Sequence, residues 1–224
     1  MGEFIELTAA DGHRFQAYVA KPAGQPRGAL VVAQEIFGVN SHIRSVADGY
    51  AADGYLAIAP ALFDRARRGY DTGYSPEDIQ AGIAVMQQVS LNDAMRDVSA
   101  CVAWAGAAGA GKVGIVGYCW GGTVAWVAAA RVDGLACAIP YYGGGIHGQI
   151  GLQARCPVLF QFADQDKSPT LAQAQEIAAA HPQAITHLYA ANHGFNCDQR
   201  GSYDAASATL ARQRALEFLG RHVG

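Results

Sequence analysis

Short apolar runs alternate with longer amphipathic stretches along most of this 224-residue chain. Apolar runs of about four to eight residues bounded by Gly, Pro or Asp are typical of strands buried on both faces of a sheet. They predict strands at 4–7, 15–19, 29–33, 56–59, 113–116, 136–141, 158–162 and 187–189. The first two strands bracket Asp11-Gly12, which predicts a hairpin. Helices are predicted at 46–52, about 93–107, 122–131, 171–180 and 205–221. This alternation indicates an α/β fold with a mostly parallel central sheet and helices on both faces.

One segment departs from this alternation. Residues 69–88 are polar, include Tyr70 and Tyr74, and contain a Ser-Pro-Glu-Asp helix start at 75–78. We interpret about 61–92 as a small lid over the carboxyl ends of the strands, with a plain surface excursion as the alternative. With this segment included, the chain fits a single domain over 1–224.

Composition excludes several classes of protein. A hydrophobic content of 51% with 16% charged residues indicates a globular protein and not a disordered one. The formal charge of −3 gives no electrostatic basis for binding nucleic acid or an acidic membrane surface. No run approaches the roughly 20 apolar residues that a membrane span needs, and residues 1–14 lack a signal-peptide core. We therefore expect a cytoplasmic protein, a monomer with a dimer as the alternative.

The five cysteines are scattered, odd in number and without C-x-x-C spacing. A disulfide framework is therefore not expected, and neither a metal nor an organic cofactor is implied. Cys101, Cys137 and Cys156 fall in or beside predicted elements and are expected to be small core residues. Cys119 is different, because it lies between a predicted strand and a predicted helix.

The sequence GYCWGG at 117–122 connects a predicted strand to a predicted helix. This order matches the nucleophile elbow G-x-S-x-G, with Cys119 in the place of serine. Glycines are needed there because bulky neighbours of a strained turn would collide with the strand or the helix. The N–H of Trp120 would begin the helix and point at a developing oxyanion. A core cysteine in a strand-to-helix turn is the alternative.

Two further residues follow predicted strands and fit the chemistry of a thiol nucleophile. His193 directly follows the last strand, and Asp166 follows the strand at 158–162. The chain order nucleophile, acid, histidine is the one used by α/β hydrolases. Asp164 competes with Asp166, and either aspartate would also suit a helix cap. His147, after three glycines, is the rival base, while the other histidines are expected to be surface or structural residues.

The loop QEIFG at 34–38 follows a predicted buried strand. The N–H of Ile36 would complement that of Trp120 as the second oxyanion donor. Glu35 is unusual because a carboxylate at a buried strand end is costly without a partner. It could pair with an arginine. Alternatively, it could accept a hydrogen bond from the thiol of Cys119 and keep that thiol unreactive until substrate displaces Glu35. A partly solvated loop charge is the third alternative.

At these residues the chain resembles the dienelactone hydrolase (carboxymethylenebutenolidase) family of α/β hydrolases. The resemblance runs over about 3–220 and includes QEIFG, Ala59-Pro60, GYCWGG, Tyr141-Tyr142-Gly143, Asp166 and His193-Gly194-Phe195. It implies a catalytic triad of Cys119, His193 and Asp166. It also implies that Glu35 takes part in activating the thiol, and that Ile36 and Trp120 form the oxyanion hole.

The resemblance also bears on substrate binding. Family members that cleave dienelactone are expected to bind its carboxylate with arginines, one of them four residues after the catalytic histidine. That position is Cys197 here, which we expect near the pocket, with Arg200 close by. Arg65, Arg67 and Arg68 follow a strand end, and arginine suits bidentate pairing with a carboxylate. The expected substrate contacts are Arg65, Arg68, Tyr141 and Phe37.

The sequence therefore predicts a cysteine-dependent hydrolase of small esters or lactones that works through an acyl-enzyme. A thioesterase, or a hydrolase of another small ester, is the alternative on the same fold. The alternative from a different class is a catalytically silent hydrolase fold that binds a small ligand.

Overall fold

A computed structural model of the protein describes residues 2–224. Its centre is one eight-stranded sheet. The strands are β1 (Glu3–Thr8), β2 (Arg14–Ala20), β3 (Ala29–Ala33), β4 (Leu56–Pro60), β5 (Val113–Tyr118), β6 (Leu135–Tyr141), β7 (Leu159–Ala163) and β8 (Ile185–Tyr189). Their order across the sheet is β1-β2-β4-β3-β5-β6-β7-β8. Strand β2 is antiparallel to β1 and to β4, whereas all the other neighbours are parallel.

Six helices connect the strands. They are α1 (Ser41–Ala52), α2 (Pro76–Met86), α3 (Leu91–Ala107), α4 (Trp120–Arg131), α5 (Leu171–Ala180) and α6 (Ala205–His222), with 3-10 turns at Leu62–Arg65 and His147–Gln149. Helices α1 and α6 pack on one face of the sheet, and α3, α4 and α5 pack on the other. Strand β3 is buried along its whole length because it lies between these two layers. The predicted α/β-hydrolase fold is confirmed.

The element boundaries follow from caps and turns. Gly12 has a φ of 84° in the turn of the β1–β2 hairpin, a backbone conformation that glycine adopts at little cost. Helix α1 begins five residues before its predicted start, because the Asn40 side chain accepts a hydrogen bond from the N–H of Ile43 and caps it. Ser75 and Asp78 form a reciprocal capping box at the start of α2. Within residues 2–224, no helix is both long enough and apolar enough to cross a bilayer.

Candidate active site

The turn between β5 and α4 carries Cys119 in a strained conformation. Its φ of 57° and ψ of −118° are rarely adopted by a residue with a side chain. A Cβ at Gly117 would lie 1.9 Å from the carbonyl oxygen of Gly121, and one at Gly121 would lie 2.3 Å from that of Ala33. The backbone therefore comes too close for any other residue at either position. The glycines predicted to flank the nucleophile are required by this packing.

The loops after β7 and β8 bring Asp166 and His193 together. Nδ1 of His193 lies 2.8 Å from Oδ2 of Asp166, while Oδ1 of Asp166 accepts a hydrogen bond of 2.8 Å from the N–H of Ser168. The Asp166 side chain is almost completely buried. The competing carboxylate of Asp164 does not contact His193, and its Oδ1 has no partner within residues 2–224. Because Nδ1 of His193 is directed at Asp166, its other ring nitrogen, Nε2, is the one available to Cys119 and to a reacting group.

The surroundings of His193 stabilise its imidazolium form when the neighbouring sulfur is charged. Burial alone would lower the pKa of His193. The negative charge of Cys119 and hydrogen bonds to Asp166 and Cys119 outweigh burial and raise that pKa to about 10. An imidazolium at His193 would therefore stabilise a thiolate at Cys119 once the thiol proton has been removed.

The rival base His147 lies elsewhere. Its Nε2 is 2.6 Å from Oε2 of Glu176 on α5, and His147 is not among the residues that line the cavity at Cys119. The three glycines before it do not bring it to the nucleophile.

Two backbone N–H groups are available to an oxyanion. Those of Ile36 and Trp120 donate no hydrogen bond to another residue in the described part of the chain, 2–224. Trp120 is the first residue of α4, so the positive end of the helix dipole adds to its N–H. Both residues line the cavity that Cys119 also lines.

Glu35 is fully buried and paired. Its Oε1 accepts from Nη1 of Arg200 at 3.3 Å, and its Oε2 accepts from the hydroxyl of Tyr74 at 3.3 Å. Burial alone would lower the pKa of Arg200, but the Glu35 carboxylate is the main cause that raises it. Of the alternatives for Glu35, the structure has the arginine pair, and within residues 2–224 it has no hydrogen bond between Glu35 and Cys119. The thiol of Cys119 is therefore not bonded to this carboxylate in the present conformation.

Two buried residues lie beside Glu35, namely Cys197, which the sequence predicted near the pocket, and His42, which it did not assign to the site. Ligand atoms of Glu35, His42 and Cys197 all lie within 4.8 Å of one another. His42 is 3% exposed, and its Nδ1 lies 3.2 Å from Oδ1 of Asp198. Burial and then the charge of Glu35 raise the pKa of Cys197 to about 11, so this thiol stays protonated. Because Arg200 already neutralises Glu35, the cluster does not favour a metal cation.

Cys119, His193 and Asp166 line a cavity of about 690 Å³ together with Ile36 and Trp120. This size suits a small-molecule ligand. One wall is apolar and includes residues of the predicted lid segment, namely Ile83, Met86 and Leu91. The remaining wall is polar and includes Gln149, Gln165, Lys167, Ser168, Asn192 and Arg200.

Two arginines predicted to bind substrate lie outside this cavity. The guanidinium of Arg65 donates to both carboxylate oxygens of Asp97, at 2.8 and 2.7 Å, and to Asp11 at 2.9 Å. Arg68 donates to Oε2 of Glu6 at 2.6 Å and to the carbonyl oxygen of Arg14 at 3.2 Å. These carboxylates hold both side chains away from the cavity that Cys119 lines.

The two aromatic residues predicted to contact substrate are buried instead. Tyr141 packs against Tyr118, with ring centroids 4.7 Å apart, and its carbonyl oxygen accepts from the N–H of Cys119 at 3.1 Å. Phe37 packs against Tyr74 at 4.5 Å and carries the guanidinium of Arg200 over its ring at 5.5 Å. Neither lines the cavity, so each supports residues that do. Of the arginines discussed, Arg200 is the one that lines the cavity.

Comparison with known proteins agrees with this geometry. The sequence model of the dienelactone hydrolase family matches residues 15–223. The carboxymethylenebutenolidase of Pseudomonas putida is 34% identical over 230 residues, which cover 97% of this chain and 95% of that protein. Carboxymethylenebutenolidase 1 of Cupriavidus pinatubonensis is 30% identical and covers 98% of this chain and 97% of its own length.

Solved structures lead to the same family. A crystal structure from Klebsiella pneumoniae, described as a candidate dienelactone hydrolase, matches with a TM-score of 0.85 at 28% identity. The match covers 99% of this chain and 100% of that one. The family resemblance inferred from the sequence is thus confirmed. The chain belongs to the dienelactone hydrolase family of α/β-hydrolase enzymes.

Proposed function

We propose that this protein hydrolyses small esters or lactones through a covalent acyl-enzyme on Cys119. The observation that carries the proposal is the shared cavity. It is lined by a cysteine on a strained turn, by the hydrogen-bonded pair of His193 and Asp166, and by two residues whose N–H groups are unpaired. Nucleophile, base, orienting acid and oxyanion donors are the groups that acyl transfer needs.

The first half of the reaction forms the acyl-enzyme. Substrate binding releases Glu35 from Arg200 and Tyr74, and Glu35 takes the proton of the Cys119 thiol. The thiolate attacks the carbonyl carbon, and the N–H groups of Ile36 and Trp120 hold the oxyanion. The carbon–oxygen bond of the leaving group then breaks, and the leaving oxygen takes the proton from Glu35. Glu35 thus returns to its carboxylate form.

The second half hydrolyses the thioester. His193 takes a proton from water, the hydroxide attacks the acyl carbon, and the carbon–sulfur bond breaks as the proton returns to sulfur. Acylation itself prepares His193 for this step. A thioester sulfur carries no charge, so the main cause that raises the pKa of His193 disappears once the acyl group is attached. The imidazole then loses its proton more readily and can act as a base.

The lining of the cavity supports a substrate with an apolar part and a polar or anionic end. Ile83, Met86 and Leu91 offer the apolar contact, while Arg200 and Lys167 offer positive charge. The relatives in Pseudomonas putida and Cupriavidus pinatubonensis are named for lactone hydrolysis, and we propose the same reaction class here. The mostly apolar wall also favours a second candidate, the hydrolysis of a neutral small ester or thioester.

Removal of the nucleophile tests the proposal. Cys119→Ala should lower kcat/KM for 4-nitrophenyl acetate by about a thousandfold or more, because no acyl-enzyme can form. Cys156→Ala, a cysteine far from the cavity, is the matched control and should keep wild-type activity. Wild-type activity in Cys119→Ala would contradict the acyl-enzyme. If the wild-type protein turns over none of a panel of esters, thioesters and carboxylate-bearing lactones, the silent ligand-binding alternative gains the support.

A further inference from the structure

Tyr142 is the second strained residue near the nucleophile. It follows β6 directly and has a φ of 35°, which a bulky side chain rarely adopts. Of the residues 2–224, the only other non-glycine residue with a positive φ is Cys119. Strain of this kind persists only where the surroundings hold it, and it gathers at functional sites.

The ring of Tyr142 is fully buried beside the catalytic histidine. Its centroid lies 5.1 Å from that of His193, in an edge-on arrangement, and 5.3 Å from that of Phe195. The hydroxyl at its end is buried and has no hydrogen-bond partner in the described range, 2–224. Most buried hydroxyls in proteins are paired, so one that is not needs a reason.

Charged groups of the site surround this hydroxyl. Burial raises the pKa of Tyr142 well above its usual value, and the charge of Glu35 raises it further, while Arg200 opposes them. The hydroxyl therefore keeps its proton at neutral pH and can donate a hydrogen bond. It lies within the electrostatic reach of both Glu35 and Cys119.

We propose that the Tyr142 hydroxyl is the donor that receives the Glu35 carboxylate beside Cys119 when substrate releases it from Arg200 and Tyr74. This inference rests on the proposed function, in which Glu35 takes the thiol proton. Tyr142 is thus a positioning residue, since it acts on the substrate only through Glu35.

The need for such a donor follows from the resting state. Glu35 has two donors there, and it loses both when it moves toward the sulfur. A buried carboxylate without donors is strongly disfavoured, so the moved state requires a replacement. The Tyr142 hydroxyl is available because no other acceptor competes for it. A hydrogen bond from Tyr142 to one carboxylate oxygen of Glu35 would also orient the other oxygen toward the thiol proton of Cys119.

Two tyrosine variants with opposite expected effects test the proposal. Tyr142→Phe keeps the ring and removes only the unpaired hydroxyl, so the melting temperature should stay the same or rise. Acylation by 4-nitrophenyl acetate, measured as the burst phase, should slow about tenfold, while deacylation should be unchanged. Alkylation of Cys119 by iodoacetamide without substrate should also be unchanged, because resting Glu35 does not contact Tyr142.

Tyr74→Phe removes a resting partner of Glu35 and should act in the other direction. The carboxylate is then held less tightly, so alkylation of Cys119 in the absence of substrate should become several-fold faster. A double-mutant cycle completes the test: in a Glu35→Gln background, Tyr142→Phe should cause no further loss of acylation rate.

Wild-type acylation in Tyr142→Phe would overturn the proposal, as would an undiminished effect of Tyr142→Phe in the Glu35→Gln background. Equal losses in acylation and deacylation with a lower melting temperature would indicate a packing role and overturn it too. The proposed function fails separately, through an active Cys119→Ala. An inactive Cys119→Ala with a fully active Tyr142→Phe removes this inference alone.

Discussion

At the scale of single residues, the charge of His193 depends on its two neighbours, Cys119 and Asp166. A negative charge on the sulfur of Cys119 is the main cause that raises the pKa of His193. Asp166 also stabilises the imidazolium, because its buried carboxylate lies 2.8 Å from Nδ1. The protonation of His193 therefore depends on what the sulfur carries.

A titration of His193 should reveal this dependence. Cys119→Ala removes the main cause that raises the pKa of His193, so this pKa should fall clearly from about 10 toward the ordinary 6.5. Because the folded pKa lies above the ordinary one, protonation of His193 stabilises the native state below pH 6.5, and this contribution is lost as the pH rises through about 10. In the variant the upper end of that window should move down. NMR titration of the imidazole checks the prediction with Cys156→Ala as control, and an unchanged pKa in Cys119→Ala would contradict it.

The sequence could predict which residues lie at the cavity edge of the sheet, because they follow strands. It could not predict where a long side chain such as that of Arg65 is directed. Cys119, Asp166 and His193 each follow the end of a strand by no more than four residues, and the carboxyl ends of parallel strands meet at one edge. Arg65 also follows a strand end, but its side chain is directed by Asp97, which is 32 residues further along the chain. His42 has no local signal, because its burial depends on how α1 packs.

At the scale of elements, helix α2 rests directly on the loop at 34–38, which contains Ile36. A Cβ at Gly82 would lie 2.4 Å from the carbonyl oxygen of Ile36 and 3.2 Å from its carbonyl carbon. Thr72 reinforces the contact, since its N–H donates to the carbonyl oxygen of Phe37 at 3.1 Å. The position of the Ile36 N–H therefore depends on a helix from the predicted lid segment.

Adding one methyl group to α2 should disturb catalysis. Gly82→Ala forces the helix and the Ile36 loop apart, so kcat/KM should fall tenfold to a hundredfold, approaching the loss of about one oxyanion donor. Gly106→Ala in α3 is the matched control, because its Cβ would meet nothing within 4 Å. It should leave activity unchanged and add about 0.5–1 kcal/mol of stability through helix propensity. Equal activity in both variants would show that α2 does not position the loop.

The start of α2 could be predicted because Ser75 and Asp78 cap it within four residues of sequence. The contact of Gly82 with Ile36 could not, since it joins residues 46 positions apart. Local caps and turns specify where an element begins, and only the packed sheet specifies which loop it touches. The start of α1 at Ser41 is likewise set by a local cap, the side chain of Asn40.

At the scale of the whole molecule, Arg65 joins parts of the fold that are distant in sequence. It connects Asp11 in the turn of the β1–β2 hairpin to Asp97 on α3, and Arg65 itself lies in the turn after β4. The Asp97 side chain is fully buried. Burial raises the pKa of Asp97, and this effect outweighs the lowering that Arg65 causes. The antiparallel edge of the sheet is thereby tied to a helix of the layer that also carries α4.

Replacement of this arginine should therefore reduce stability and leave substrate binding intact. Arg65→Gln removes the partner of a buried carboxylate, and broken buried pairs cost about 3–5 kcal/mol of unfolding free energy. Arg68→Gln is the matched control. Arg68 pairs with Glu6 at the surface, where its side chain is 53% exposed, so its loss should cost less than about 1 kcal/mol. Chemical denaturation measures both differences, and KM for a carboxylate-bearing lactone should be unchanged in each variant. A raised KM in Arg65→Gln with wild-type stability would show that Arg65 binds substrate. Its contacts with Asp11 and Asp97 argue against that result.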